Sequence, residues 1–152
     1  MTLDTQQVEL IGRNLLTSAL MSDGYEVALP LRDRGVDLLV YRDLDESGQF
    51  IARPIQLKAS SKRAFGFDAK YTKFHDLLLA YVWNVQSGGD AIEIFCLNQS
   101  EVSRIGSAMG WDQTVSWARG SYSTSRPSAK LCAMLSEYRM GPGTWTTRFA
   151  EG

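Results

Sequence analysis

Two apolar segments that carry isolated polar residues constrain the fold of this chain most. The first is Val36–Tyr41 with Asp37 near its start, and the second is Phe50–Ala59 with Gln56 and Lys58 near its end. A short polar stretch separates the segments, which predicts two strands joined as a hairpin. Side chains alternate between the faces of a strand, so Gln56 and Lys58 share one face. A carboxylate in an apolar strand costs free energy unless a cation holds it, and the candidates for Asp37 are a divalent metal and Lys58.

The rest of the hydrophobic pattern predicts a mixed α/β chain. The predicted elements are a helix from Asp4 to about Ser22, strands at Tyr25–Leu29, Val36–Tyr41 and Phe50–Ala59, a turn from Asp43 to Gln49, strands at Leu77–Trp83 and Ala91–Leu97, and helices at Ser100–Met109 and Ser128–Arg139. Residues 60–73 are polar and basic, without a readable element. Pro54 cannot donate to a ladder, which suggests an edge or a bulge in the second arm of the hairpin. This order suits a central sheet flanked by helices.

Length and composition favour one domain. The chain has 152 residues, 44% of them hydrophobic, which is enough for one sizeable core and too little for two ordinary domains. We therefore expect a single domain over 1–152. Its core would occupy about 1–110, and the region 111–152 would be a helical and aromatic extension. The net charge of -1 provides no global basic field, so any nucleic-acid contact must be local.

The sequence also predicts a cytoplasmic protein. The first residues lack the basic start and apolar run of a signal peptide, and no stretch is long enough to span a bilayer, so no membrane partner is expected. Cys96 and Cys132 have no metal-type spacing and lie among apolar residues. Buried free thiols are favoured over a disulfide. His75 is the sole histidine of the sequence, and we interpret it as structural.

Asp37, Gln56 and Lys58 could supply the groups that phosphodiester hydrolysis needs. That reaction needs a Lewis acid at the scissile phosphate, an activated water and a cation near the developing charge. The oxygens of Asp37 and Gln56 are the hard ligands that Mg²⁺ prefers. Lys58 could orient or deprotonate the attacking water, or neutralise the phosphate.

The segments Gly35–Val40 and Ile55–Ala59 resemble the core of the PD-(D/E)XK, or restriction-endonuclease-like, nuclease superfamily. In that family an Asp opens the second core strand, and the third strand carries an acidic residue, one spacer and Lys. The resemblance covers about the first hundred residues. It implies an αβββαβ core with a central mixed sheet flanked by helices, a Mg²⁺ or Mn²⁺ cofactor, and Glu9 as a third metal residue on the leading helix.

This sequence departs from the family pattern at two positions. Val36 stands where the Pro of the family's name would be, and many members lack that Pro. Gln56 stands where an acid is usual, and a neutral amide should bind Mg²⁺ more weakly than a carboxylate. The Gln-x-Lys variant is similar to the pattern of Mrr-type restriction enzymes and RecB-like nucleases.

A basic segment with interspersed aromatic residues follows the second strand of the hairpin. Its candidate nucleic-acid-binding residues are Lys62, Arg63, Lys70 and Lys73. Their charges could hold phosphates, while neighbouring aromatic rings could stack on bases. An ordinary solvated loop whose aromatic rings cover the core is the alternative.

Simpler interpretations also exist for the proposed site residues. Glu9 could form only a surface salt bridge with Arg13, one turn along the helix. Asp37 could cap the turn at Gly35, and Gln56 and Lys58 could form the solvated face of an edge strand.

The leading hypothesis from sequence is a metal-dependent endonuclease-like protein that hydrolyses DNA, with RNA as the other possible substrate. The first alternative is a catalytically inactive nuclease-fold module that binds nucleic acid or a protein. The second is an unrelated α/β interaction domain in which the spacing is accidental. The aromatic C-terminal third is also compatible with a homodimer contact.

Overall fold

The structure is a computed structural model that describes residues 1–42, 48 and 50–150. It begins with helix α1, Thr5–Ser22. Asp4 and Gln7 form the predicted capping box, with Gln7 N donating to Asp4 Oδ1 at 2.8 Å and Asp4 N donating to Gln7 Oε1 at 2.9 Å. The predicted first helix is therefore confirmed at both ends. Most of the turn predicted at 43–49 lies outside the described residues.

A five-stranded mixed sheet forms the centre of the protein. Its strands are β1 (Glu26–Ala28), β2 (Leu38–Tyr41), β3 (Ala52–Ala59), β5 (Leu78–Trp83) and β6 (Glu93–Asn98), in that spatial order. β3 and β5 run parallel, and the other neighbouring pairs are antiparallel. The predicted hairpin and the predicted pair of core strands are confirmed. So is the central mixed sheet with flanking helices.

β3 is an interior strand of this sheet, so the suggestion of an edge at Pro54 is wrong. Pro54 lies opposite Leu39 of β2. On the other side of β3, pairing with β5 begins one residue later, at Ile55↔Leu78. Pro54 thus precedes the second ladder, which is how an interior strand can contain a residue without an N–H group.

The connection from β3 to β5 differs from the αβββαβ order. Where that order places a crossover α-helix, this chain forms β4 (Phe65–Asp68) and a 3₁₀ helix (Ala69–Lys73). β4 pairs antiparallel with β7 (Ser121–Thr124) in a separate two-stranded sheet, called here the β4–β7 ribbon. The alternation of Phe65 and Phe67, both buried, with smaller residues explains why this segment is extended rather than helical.

Hydrophobic cores lie on both faces of the sheet. On one face α1 packs through Val8, Leu16 and Leu20 against alternate residues of the strands. On the other face the ribbon and three helices cover the sheet. These helices are α2 (Gln99–Ala108), α3 (Val115–Ala118) and α4 (Ala129–Leu135).

The last helix, α5 (Thr144–Ala150), returns to the α1 face. It contributes Trp145 and Phe149 to the core there. Residues beyond 110 therefore pack on both faces of the central sheet.

Both cysteines are free thiols, and Cys96 is fully buried whereas Cys132 is only partly so. Burial raises the pKa of the Cys96 thiol to about 12. Among the described residues, no helix combines the length and apolar character needed to cross a membrane.

Candidate functional site

Asp37 is attached to β3 by two hydrogen bonds that bracket Gln56. Its backbone N donates to Ile55 O at 2.8 Å, and its Oδ2 accepts from Leu57 N at 2.7 Å. The carboxylate thus takes an acceptor position of the β2–β3 ladder just before β2 begins. The proposed capping of the turn is wrong for this residue, because Gly35 N donates to Asp33 Oδ1 at 3.1 Å instead.

The surroundings of Asp37 disfavour its charged form. Burial raises the pKa of the carboxyl above its ordinary value, and the nearby charges of Asp33 and Glu9 raise the pKa further. The Leu57 hydrogen bond and the charge of Arg13 act in the opposite direction and do not cancel the effect of burial. An additional cation would favour ionised Asp37.

Glu9 of α1 opens into the same small cavity as Asp37. This cavity has a volume of about 130 Å³, and Arg13 and Asp33 also line it. Glu9 forms the expected salt bridge with Arg13, at 3.3 Å, and its side chain remains 55% exposed. Exposed pairs of this kind are worth little, so the Arg13 contact leaves Glu9 available for another partner.

Gln56 carries a buried amide oxygen without a hydrogen bond. Its Oε1 has no partner in the described part of the chain. The residue lines a cavity of about 310 Å³, and Asp33, which also borders the Asp37 cavity, lines it as well. A buried oxygen without a donor is costly, and a bound cation would satisfy it.

Lys58 lies two residues beyond Gln56 and opposite Tyr81 of β5. Its Nζ sits 4.7 Å from the ring centroid of Tyr71, which is a cation–π distance. Tyr71 is 7% exposed, and its backbone is fixed by α2, since Gln99 Nε2 donates to Tyr71 O and, at 2.9 Å, to Phe74 O. The Lys58 ammonium is therefore placed by an anchored aromatic ring.

The proposed site residues occupy neighbouring cavities. Glu9 and Asp37 share the first, and Gln56 lines the second. Lys58 lines a third, of about 270 Å³. None of these three cavities is lined by all four residues. The joint action of these residues in one catalytic site therefore stays a prediction.

The four basic candidates have different surroundings. Lys70 and Lys73 line the Gln56 cavity. Lys70 also lies 3.7 Å from the Asp68 carboxylate, and Arg63 Nε donates to Glu93 Oε2 at 2.9 Å. The side chain of Lys62 takes part in none of the ion pairs formed by the described residues. Their binding of nucleic acid stays a prediction.

Sequence reasoning missed the parts that Asp33, Tyr71 and Gln99 play in the site; it considered Tyr71 only as one of the aromatic residues that could stack on bases. Asp33 had a local signal, because an Asp two residues before a Gly commonly closes a turn. Tyr71 and Gln99 act through distant contacts, which spacing along the chain does not show. His75 is exposed and lines a separate cavity with Arg53 and Arg148.

A metal would have to use a mixed set of oxygen ligands. In residues 1–42, 48 and 50–150, no three His, Cys, Asp or Glu side chains form a group that could hold a metal ion. Asp37 and the unsatisfied Gln56 Oε1 are both hard oxygen donors, and Asp37 is hydrogen-bonded to the β3 residues on either side of Gln56. This donor set fits Mg²⁺ or Mn²⁺ better than a soft metal.

The mixed sheet with flanking helices is compatible with a nuclease fold. Among solved structures, the chain is similar to that of a bacterial homing endonuclease, I-Ssp6803I, with a TM-score of 0.51. The match has 14% sequence identity and covers 99% of this chain and 95% of that chain. At this identity the likeness shows the fold alone. No protein-family model matches the sequence, and no curated protein matches it either.

Proposed function

We propose that this protein is a metal-dependent endonuclease that hydrolyses phosphodiester bonds in DNA. The observation that carries the proposal is the attachment of Asp37 to the backbone on both sides of Gln56, whose buried amide oxygen has no hydrogen bond. The similarity of the fold to that of a homing endonuclease supports the same assignment.

Each proposed residue has a defined part. Asp37 and Gln56 would hold Mg²⁺ or Mn²⁺, with Glu9 contributing from α1. A bound metal would act as a Lewis acid at the scissile phosphate. Lys58, fixed over Tyr71, would bring a positive charge to the phosphate and orient the attacking water. Lys70 and Lys73, beside Gln56, would hold flanking phosphates.

A binding module without catalysis is the second candidate. Two observations favour it: Gln56 is neutral, and one oxygen of Asp37 is used by the β2–β3 ladder. Such a protein would bind DNA, RNA or a protein partner through the segment that carries Lys62, Arg63, Lys70 and Lys73, either alone or as a homodimer.

Cleavage assays separate the two candidates. Purified protein would be incubated with plasmid DNA, linear DNA and RNA, each with Mg²⁺, Mn²⁺ or a chelator. We expect metal-dependent cleavage of DNA, reduced about 100-fold or more in Lys58→Ala. Lys130→Ala is the matched control, because Lys130 is exposed and its Nζ donates to Ala108 O at 3.0 Å, away from the proposed site. Undiminished cleavage by Lys58→Ala would overturn the mechanism, and binding without cleavage would favour the module.

A further inference from the structure

The β4–β7 ribbon is fixed on the sheet face that carries Lys58. Tyr81 OH donates to Gly66 O at 2.7 Å, and Trp83 Nε1 donates to Ala64 O at 2.5 Å. Tyr81 and Trp83 are both 1% exposed and belong to β5. Because both donors come from the buried interior, the ribbon has a set position relative to the main sheet.

The inner face of the ribbon is aromatic and packed. Phe65 stacks on Tyr81 with ring centroids 4.6 Å apart, and Phe67 stacks on Trp117 at 5.2 Å. Tyr122 stacks on Trp111 at 4.4 Å. These contacts explain why one face of so short a sheet is buried.

The outer face of the ribbon is small and polar. Its register pairs Gly66 with Ser123 and Asp68 with Ser121. Both serines are exposed, and their hydroxyls are used by none of the hydrogen bonds between described residues. A Cβ at Gly66 would lie 3.3 Å from Ser123 Cβ, so a larger residue there would crowd Ser123. The two exposed serines and the absence of a side chain at Gly66 let another molecule approach this face closely.

Charge and position favour DNA as that molecule. Arg119 and Arg126 flank β7, are exposed, and belong to none of the ion pairs of the described residues. Ser123 also lines the cavity into which Lys58 opens. The outer face is thus continuous with the proposed catalytic lysine and bounded by cations that suit phosphates.

We propose that the β4–β7 ribbon enters the major groove of duplex DNA, where Ser121 and Ser123 contact base edges next to the cleavage site. This inference rests on the proposed function and adds sequence preference to it. The major groove admits a two-stranded ribbon, and hydroxyls can both donate to and accept from base edges. Arg119 and Arg126 would contact the backbone phosphates on either side and set the register without reading sequence.

Selection from a library of randomised duplexes tests the proposal. The full chain with Lys58→Ala would be used to retain DNA without cutting it, and the bound fraction would be sequenced. Adding Ser121→Ala and Ser123→Ala should reduce base preference by about threefold to tenfold at neighbouring positions. Ser18→Ala, an exposed serine on α1, is the matched control and should leave the profile unchanged.

The arginines should behave differently from the serines. Arg119→Ala and Arg126→Ala should weaken binding to all sequences alike. Each should lower the slope of log affinity against log salt by about one. A second serine variant, Ser123→Thr, keeps the hydroxyl and suits a strand, so it should shift the preference rather than remove it.

The outcomes for the ribbon and for the nuclease are distinguishable. DNA cleavage by the parent with no base preference, or an unchanged profile in the serine variants, would overturn the ribbon proposal and leave the nuclease intact. Loss of affinity without loss of preference in the serine variants would assign them to phosphates, which also overturns it. A parent that neither binds nor cuts DNA would refute both proposals.

Discussion

Replacing Gly12 by Ala should destabilise the protein, against the usual preference of helices. Gly12 is buried in α1, and a Cβ built there would lie 2.4 Å from the Cβ of Ala59, the last residue of β3. Non-bonded carbon atoms do not tolerate that separation, so α1 or β3 must move. The helix carries Glu9 and the strand carries Lys58, hence the change also alters the spacing of the proposed site.

The magnitude follows from two opposing effects. Ala in a helix interior is favoured over Gly by roughly 0.5 to 1 kcal/mol. Overpacking a core typically costs about 1 to 3 kcal/mol, and Ala59 lies on a sheet strand that cannot easily yield. We expect a net loss of about 1 to 2 kcal/mol in the free energy of unfolding. For a domain of this size that corresponds to a fall of roughly 2 to 8 °C in Tm.

Urea unfolding of four proteins would measure the effect: the parent, Gly12→Ala, Ala59→Gly and the double variant. Ala59→Gly removes the opposing Cβ, so the double variant should recover at least about 1 kcal/mol relative to the sum of the single changes. Asn14→Ala, at an exposed position of the same helix, controls for helix propensity and should stabilise slightly. If Gly12→Ala is more stable than the parent, the close approach of α1 to β3 is wrong.

Three further predictions concern the site and its supports. Gln56→Glu should strengthen Mg²⁺ binding about tenfold, measured by calorimetry, because it adds a charged ligand; unchanged affinity would remove Gln56 from the metal site. Tyr71→Leu should slow cleavage roughly 2-fold to 30-fold, whereas Tyr71→Phe, which keeps the ring, should not. Equal cleavage rates in the two variants would show that the ring does not position Lys58. In urea titrations the parent should lose stability as the pH rises from below 3.8 through the raised pKa of Asp37, and Asp37→Asn should abolish that loss. Identical pH profiles of the two proteins would contradict the raised pKa.

The sign of the last prediction follows from the direction of the pKa shift. The raised pKa means that folded Asp37 binds its proton more tightly than the unfolded chain does. The associated stability is fully present below the unfolded pKa and is lost as the pH rises through the folded pKa. Above that range the parent carries the cost of a partly buried carboxylate, which a bound cation would offset.

Elements with strong local signals were predictable from the sequence. The Asp4 and Gln7 capping box and the buried positions of α1 lie close together along the chain, as do the continuous apolar runs of β5 and β6. Such elements can be predicted from a window of about ten to twenty residues, because their hydrogen bonds or their buried positions repeat at a fixed period.

The ribbon and α5 were not predictable in this way. β4 and β7 have four residues each, and Phe65 pairs with Thr124. Their extended shape depends on that distant pairing and on aromatic packing. Helix α5 contains three Thr residues, which disfavour helix formation, and it is held by Trp145 and Phe149 in the α1-side core. Tertiary contacts decide these elements.

The site shows the same division between residue type and residue contact. An isolated Asp, Gln and Lys on apolar strands mark the region from sequence, because each polar group there needs a partner. What the sequence does not reveal is that Asp37 satisfies a backbone donor of β3 with one oxygen, while the partner of the Gln56 oxygen is missing from the described residues. Because Asp37 already has a structural role in the ladder, its presence alone is weak evidence for a metal. The argument for a metal site therefore depends on Asp37 and Gln56 together.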